Sequence, residues 1–327
     1  MDEELSSPNF RSLLAPLLED FLRDKRSRGF TYCREAHHLL QLDRFLVQAE
    51  LAEVELPRRL TEQWLSQTAN RRPSTHRKRM VLVRQLATFL QRHGYPAHHP
   101  LLPWTPRKER QSAARIFSRD EMRAIFEAAD HQPCNPHTPI RHLVVPELFR
   151  VLYGCGLRVG EARRLAVADV DLVAGVLTIH QGKFRRDRLV PLAPGLQRRL
   201  ERYAGLLGAR VPSEPFFPAP RGRQYGHQGI YKIFRELLER AGIAHGGRGR
   251  GPRLHEIRHT FAVHRLEEWY RTGEDLNAKL PLLATYLGHQ SMVGTQIYLQ
   301  LTQTLLTDLT TKLDAAYGHL IPGENGP

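Results

Sequence analysis

The chain has 327 residues, of which 41% are hydrophobic and 25% are charged. These values are typical of folded, water-soluble proteins, so they exclude a fibrous or wholly disordered chain, and the length suggests about two domains. There are 48 Lys and Arg residues against 34 Asp and Glu, which gives a formal net charge of +14 at pH 7. This charge favours a polyanion as the partner, with nucleic acid first and an acidic membrane surface second.

The amino-terminal residues and the cysteines indicate the cellular compartment. The chain begins Met1-Asp2-Glu3-Glu4, whereas a secretion signal needs a basic start and an apolar core, and no stretch approaches 18 apolar residues. The three cysteines, Cys33, Cys134 and Cys155, are too few and too far apart for a disulfide framework. We therefore expect a cytoplasmic protein with reduced cysteines and no membrane association.

Apolar residues recur at helical spacing through residues 1–95 and predict an amino-terminal bundle of about four amphipathic helices. Basic residues cluster where the last of these helices begins. The expected phosphate contacts of this domain are Arg71, Arg72, Arg77, Lys78 and Arg79. The alternative for such a run is a charged face that contacts only solvent.

A proline-rich and basic stretch, residues 96–116, predicts a linker, and residues 117–327 form the second domain. Ser118 and Glu121 have the spacing of a capping box, so a helix should begin near residue 119. Two β-rich runs, 175–179 and 188–192, predict a hairpin within otherwise helical sequence. The remaining predicted helices span about 195–208, 228–241, 255–271, 279–287 and 303–318, before a short disordered tail at 322–327.

Three segments of the second domain contain residues suited to chemistry on an anion. Arg158 follows Gly154-Cys155-Gly156-Leu157, where the glycines permit a sharp entry into a new helix. His255 and Arg258 are three residues apart and share a helix face, which pairs a proton acceptor with a planar cation. Leu287-Gly288-His289 predicts a helix end with glycine as the left-handed stop, and Tyr298 follows nine residues after His289.

These segments resemble the motifs of the tyrosine recombinase family, also called phage integrases. The family pattern has an arginine in a Gly-Leu-Arg-x-x-Glu context, a lysine in a β-hairpin, a His-x-x-Arg-His box, a Leu-Gly-His box and a tyrosine nine residues later. Every element occurs here in that order, as Arg158 with Glu161, Lys183, His255 to His259, Leu287 to His289, and Tyr298. The resemblance implies a mainly α fold with a small β-hairpin or sheet. It joins a SAM-like, helical core-binding domain to an α+β catalytic domain.

The resemblance also implies a role for each matched residue. Tyr298 would attack a DNA phosphodiester and form a 3′-phosphotyrosyl link, while Arg158 and Arg258 would bind the non-bridging oxygens. Lys183 would protonate the departing 5′-oxygen, His255 would assist removal of the proton from Tyr298, and His289 would donate a hydrogen bond to the phosphate. No cofactor or metal is implied. The implied partner is double-stranded DNA with inverted-repeat sites, on which a homo- or hetero-tetramer assembles, with accessory recombinases as possible further partners. The implied location is the nucleoid, and the implied role is recombination of a mobile genetic element.

Two departures from the family pattern leave alternatives open. Phenylalanine follows Lys183 where the family often has glycine, so Arg185 and Arg186 are alternative candidates for the proton donor. Lys183 is favoured because arginine rarely releases its proton. Arg185 and Arg186 are expected to contact DNA. The loop containing His131, Cys134 and His137 has metal-ligand residue types at a spacing that matches no standard zinc template.

Other functions consistent with the motifs are a catalytically silent DNA-binding protein of the same fold and a type IB topoisomerase.

Overall fold

The computed structural model describes residues 8–67, 73–101, 114–180, 187–247, 251–289, 294–295 and 298–299. The chain divides into two compact units, Met1–Glu109 and Arg110–Pro327, and each has its own hydrophobic core. The predicted helix at 303–318 and the tail lie outside the described residues. Within the described residues, no helix is both long and apolar enough to span a membrane.

The described residues of the amino-terminal unit form four helices, as the apolar spacing predicts. They are α1 (Ala15–Ser27), α2 (Cys33–Gln48), α3 (Arg58–Ser66) and α4 (Pro73–Arg92). Leu14, Phe21, Leu39 and Leu86 are fully buried in their shared core. Residues 96–98, which begin the predicted linker, pair with Leu56 of this unit through two backbone hydrogen bonds.

The structure corrects the prediction that Arg79 contacts phosphate. Arg79 is only 5% exposed, its guanidinium lies 4.9 Å from the centroid of the Trp64 ring, and it donates a hydrogen bond to Gln41. An arginine stem packs well on an aromatic face, so the side chain stabilises the α3–α4 contact instead. Arg77 and Lys78, two residues and one residue before it on α4, are exposed.

The second unit contains seven α-helices and one small sheet among its described residues. The helices are α5 (Arg119–Asp130), α6 (Arg141–Gly154), α7 (Val159–Ala162), α8 (Pro194–Leu207), α9 (His227–Arg240), α10 (His255–Arg271) and α11 (Leu276–Leu287). The antiparallel sheet has the order β1 (Val170–Asp171), β2 (Val176–Ile179) and β3 (Arg188–Pro191). Leu177 pairs with Val190 across the predicted hairpin, and both are fully buried.

Local signals in the sequence place the main elements of this unit correctly. The capping box is present, since Ser118 Oγ accepts from the N–H of Glu121 and the Glu121 carboxylate accepts from the N–H of Ser118. Gly156 has φ of +58°, and a Cβ built there would lie 2.4 Å from the Phe261 ring. Glycine therefore lets the chain turn sharply from α6 toward Arg158 while α10 packs against it.

Candidate active site

Arg258 lies in the first turn of α10 and is 1% exposed. Its Nη1 donates to the carbonyl oxygen of Gly156 at 2.8 Å, and its Nη2 donates to that of Leu287 at 2.6 Å. Burial, followed by the charge of Arg158, lowers the pKa of Arg258 to about 10, so the guanidinium remains charged at pH 7. This one side chain therefore connects three of the segments that the sequence singles out.

Glu161 holds three arginines around one buried carboxylate. It accepts hydrogen bonds from Arg158 Nη1 at 2.7 Å and from Arg188 Nη1 and Nη2 at 3.0 and 2.9 Å, and Arg258 Nη1 lies 3.9 Å away. Burial opposes ionisation of Glu161, but the hydrogen bonds and charges of Arg188 and Arg158 outweigh it and lower its pKa to about 2. Three cations and one anion leave a positive site suited to a phosphate.

Tyr298 is buried beside this cluster, with a 1% exposed side chain. Its Oη lies 3.3 Å from Nδ1 of His259, and its ring stacks on His289 with centroids 6.0 Å apart. Burial raises the pKa of Tyr298, while Arg258, through charge and a hydrogen bond, and Arg158 counteract part of the rise. A hydroxyl with a high pKa needs both a proton acceptor and nearby cations before it can attack, and this pocket supplies both.

The structure differs from the sequence prediction in which histidine contacts the nucleophile candidate. The prediction assigns His255, but His259 is the histidine within hydrogen-bond distance of Tyr298 Oη, and the His255 ring packs on the His259 ring at a centroid distance of 4.6 Å. The two histidines are one helical turn apart and share a side of α10, so sequence spacing cannot choose between them. In this structure the Tyr298 hydroxyl approaches α10 at His259.

The three histidines of the site are neutral at pH 7. Burial is the largest cause of the lowered pKa in each histidine. The second cause is repulsion from His259, when both rings are protonated, for His255, and the charge of Arg258 for His259 and His289. Together they lower the pKa of His255 to about 3, and those of His259 and His289 to about 4. Each neutral imidazole has one N–H to donate and one nitrogen that can accept a proton.

The loop after α11 has the geometry that its sequence predicts. Gly288 adopts the left-handed conformation with φ of +68° and ends the helix. His289 Nδ1 lies 2.8 Å from Oγ1 of buried Thr295, and Arg158 Nη2 donates to the Gly288 carbonyl oxygen at 3.3 Å. His289 is thereby brought to the same pocket as Arg158 and Tyr298.

Several predicted residues lie outside the described part of the chain, namely Arg71, Arg72, Lys183, Arg185 and Arg186. The two ends of the hairpin loop that contains Lys183 are described. The two ring nitrogens of His180 lie 3.1 Å from carboxylate oxygens of Asp169 and Asp187. These contacts raise the pKa of His180, and the hydrogen bond to Asp187 is the largest cause.

The loop residues that have metal-ligand side chains form no metal-binding cluster in the part of the chain that is described. No three His, Cys, Asp or Glu side chains are grouped to hold an ion there, and this includes His131, Cys134 and His137. His131 Nδ1 instead lies 2.8 Å from the carbonyl oxygen of Glu127.

Sequence reasoning missed Arg188, which donates to both carboxylate oxygens of Glu161. A signal for it does exist. Side chains alternate along a strand, so Arg188 shares a face with Val190, which is fully buried. An arginine on the inward face of a strand requires a buried partner.

The sequence is similar to that of known proteins. Residues 115–304 match the model of the phage integrase family. The protein y4rB of Sinorhizobium fredii is 30% identical over 305 residues, covering 91% of this chain and 96% of y4rB. Tyrosine recombinase XerC of Oceanobacillus iheyensis is 31% identical over 241 residues, 72% of each chain.

A solved structure shares the fold. The structure of a lambda integrase (75–356) dimer bound to a COC′ core site superposes with a TM-score of 0.61 at 15% identity, covering 86% of this chain and 94% of that one. This likeness concerns the fold, whereas the family match and the two relatives concern the sequence. The chain therefore belongs to the phage integrase family and is a site-specific tyrosine recombinase, an enzyme that breaks and rejoins DNA.

Proposed function

We propose that Tyr298 is the nucleophile that attacks a DNA phosphodiester, forming a 3′-phosphotyrosyl bond and releasing a 5′-hydroxyl. The observation that best supports this proposal is the contact between Tyr298 Oη and Nδ1 of His259, which is 39 residues away in sequence. This contact lies beside the buried Arg258. A nucleophile, a proton acceptor and a cation in one desolvated pocket are the parts that such a displacement requires.

Arg158 and Arg258 bind the non-bridging oxygens of the phosphate in this proposal. Both are oriented by the protein before DNA arrives, Arg258 by two backbone carbonyls and Arg158 by Glu161. Fixed donors of this kind stabilise the charge that develops in the transition state without having to reorganise. His289 donates a further hydrogen bond to the same phosphate.

Two proton transfers accompany cleavage. The proton of Tyr298 passes to His259, with His255 supporting the His259 ring, as the bond between tyrosine oxygen and phosphorus forms. Lys183 donates a proton to the 5′-oxygen as its bond to phosphorus breaks, while Arg185 and Arg186 contact the DNA backbone. Attack by a partner strand's 5′-hydroxyl reverses these steps, so the phosphodiester energy is kept and no cofactor is needed.

The test of this function is a duplex with a nick close to the cleavage position, from which the short 5′-hydroxyl strand dissociates after cleavage. Incubated with the full chain in the presence of a metal chelator, it should accumulate a denaturation-resistant complex. Labelling either end of the cut strand shows which side remains attached. Attachment to the 3′-phosphate end supports the proposal, whereas attachment to a 5′ end or a requirement for magnesium contradicts it.

Replacing His259 by alanine should slow cleavage by about 100-fold, within the range for loss of a general base. The same change at His255 should cost less, because His255 does not contact the hydroxyl. Without His259, cleavage depends on ionisation of the Tyr298 hydroxyl, whose pKa is raised, so the His259→Ala rate should rise with pH above neutrality. In the wild-type protein His259 is already neutral and can accept the proton, so the wild-type rate should not change with pH in this range. A larger loss at His255, or a pH-independent His259→Ala rate, would return the role to His255.

Arg77 and Lys78 are proposed to contact the DNA backbone from α4. Replacing both by glutamine should reduce the slope of log K against log salt by about 1.8, at about 0.9 for each lost phosphate contact. Arg58 and Arg59 are a matched adjacent pair of exposed cations on α3, and their double replacement serves as the control. Filter-binding titrations from 50 to 200 mM salt measure both slopes. Equal slopes for the two variants would show that α4 has no special part in binding.

We also propose how the protein assembles on DNA. The substrate would be duplex DNA with inverted repeats, bound by the 1–95 and 117–327 domains joined through the 96–116 linker. Four subunits, identical or shared with an accessory recombinase, would assemble on two such sites at the nucleoid to serve a mobile element. Lambda integrase crystallised as a dimer on its core site, which is consistent with assembly on DNA. Formation of exchanged junctions, without relaxation of a plasmid by single subunits, would separate this from a topoisomerase.

A further inference from the structure

Arg188 is the first residue of β3, the strand that follows the Lys183 loop, and its side chain is only 11% exposed. All three of its nitrogens donate hydrogen bonds. Nη1 and Nη2 bind the two oxygens of Glu161, and Nε donates to the carbonyl oxygen of Tyr286 at 3.0 Å. The guanidinium is thereby held from two directions.

These contacts connect the hairpin to both other parts of the site. Glu161 also holds Arg158, so Arg188 and Arg158 share one carboxylate. Tyr286 lies in the last turn of α11, just before the Gly288–His289 loop. A Cβ built at Gly288 would lie 3.1 Å from Nη1 of Arg188, so glycine at this position also leaves room for the guanidinium.

We propose that Arg188 is a positioning residue. It fixes the start of β3, which follows Lys183 in the chain, relative to Arg158 and to the end of α11. The inference rests on the proposed function, because it assumes that Lys183 protonates the leaving oxygen. Proton transfer requires a donor placed to within about an ångström, and misplacement by that amount costs roughly 100-fold in rate. Arg188 would thus act on the departure of the 5′-oxygen through Lys183.

Arginine is the residue type that can make this connection. Its planar fork binds a carboxylate through two nitrogens while the third donates elsewhere, whereas lysine has a single nitrogen. A buried ion pair is by itself weak evidence for stability, so the three contacts are better explained by geometry than by folding energy. The expected signature is therefore a selective kinetic defect.

The experiment compares two nicked duplexes under single-turnover conditions with the full chain. One has the normal 5′-oxygen at the cleavage position, and the other has sulfur there, which leaves as a thiolate without receiving a proton. Arg188→Met should cleave the oxygen substrate about 100-fold more slowly than wild type but the sulfur substrate within about fivefold, with unchanged DNA affinity. Arg188→Lys should show the same pattern. Because it keeps a positive charge beside Glu161, it serves as the test variant if Arg188→Met unfolds.

Two controls separate the possible failures. Lys183→Ala shows how far the sulfur substrate restores the cleavage rate when only proton donation is lost. Arg198→Met removes an exposed arginine of α8 and should cleave both substrates at the wild-type rate. Equal loss of rate on both substrates, or no loss in either Arg188 variant, would overturn the positioning role while leaving the nucleophile assignment intact. If wild type forms no covalent complex on either substrate, the proposed function itself fails, and this inference fails with it.

Discussion

Replacing Tyr298 by phenylalanine should abolish covalent attachment to DNA while changing DNA affinity by no more than about threefold. The substitution removes one hydroxyl, and the ring stays in the apolar cluster that includes Phe261 and Leu266. The lost hydrogen bond to His259 is worth on the order of 1 kcal/mol, too little to unfold the domain. The loss of reaction would therefore be chemical.

Tyr153→Phe is the matched control for this substitution. Tyr153 is a half-buried tyrosine of the same unit, and its hydroxyl lies 2.8 Å from Nδ1 of His264 instead of in the candidate site. We expect it to form the covalent complex on a nicked duplex at the wild-type yield. Trapping by the Tyr298 variant at that same yield would show that another residue is the nucleophile.

Replacing Arg258 by lysine should lower the cleavage rate by about a thousandfold, the upper range for removing one fixed donor from a transition state. Lysine keeps the charge but cannot donate to Gly156, to Leu287 and to a phosphate at once, because it lacks the planar fork. DNA affinity should fall much less, because many phosphate contacts contribute to it. Single-turnover rates and filter binding on the same substrate measure the two effects.

The Arg258 variant also needs a folding control, since the side chain is 1% exposed. Thermal unfolding of Arg258→Lys should remain cooperative, because the charge is kept near Glu161. A cooperative, DNA-binding variant that cleaves within tenfold of wild type would contradict the assignment of Arg258 to the phosphate.

The sequence predicts those parts of the site that depend on neighbouring residues. The glycine stop at Gly288 and the capping box at Ser118 are local devices, and the structure has both. The hairpin follows from β-rich runs on either side of a polar loop, and its strands form as predicted. Each needs only a few consecutive residues to be specified, so pattern alone is sufficient.

Features that depend on distant contacts could not be predicted in this way. Arg79 belongs to a basic run, but the Trp64 ring of another helix buries it. His255 and His259 are equivalent by helical spacing until residue 298 approaches α10. The Glu161 cluster collects arginines from α10, from β3 and from the start of α7, which no single motif contains.

The nucleophile can be identified directly as the amino acid that bears the DNA in the covalent complex. The covalent complex trapped on a nicked duplex would be digested with nuclease and protease, and mass spectrometry would locate the nucleotide-bearing residue. We expect one modified peptide, with a 3′-linked nucleotide on the phenolic oxygen of Tyr298. A nucleotide on any other residue, such as Tyr286, would contradict it.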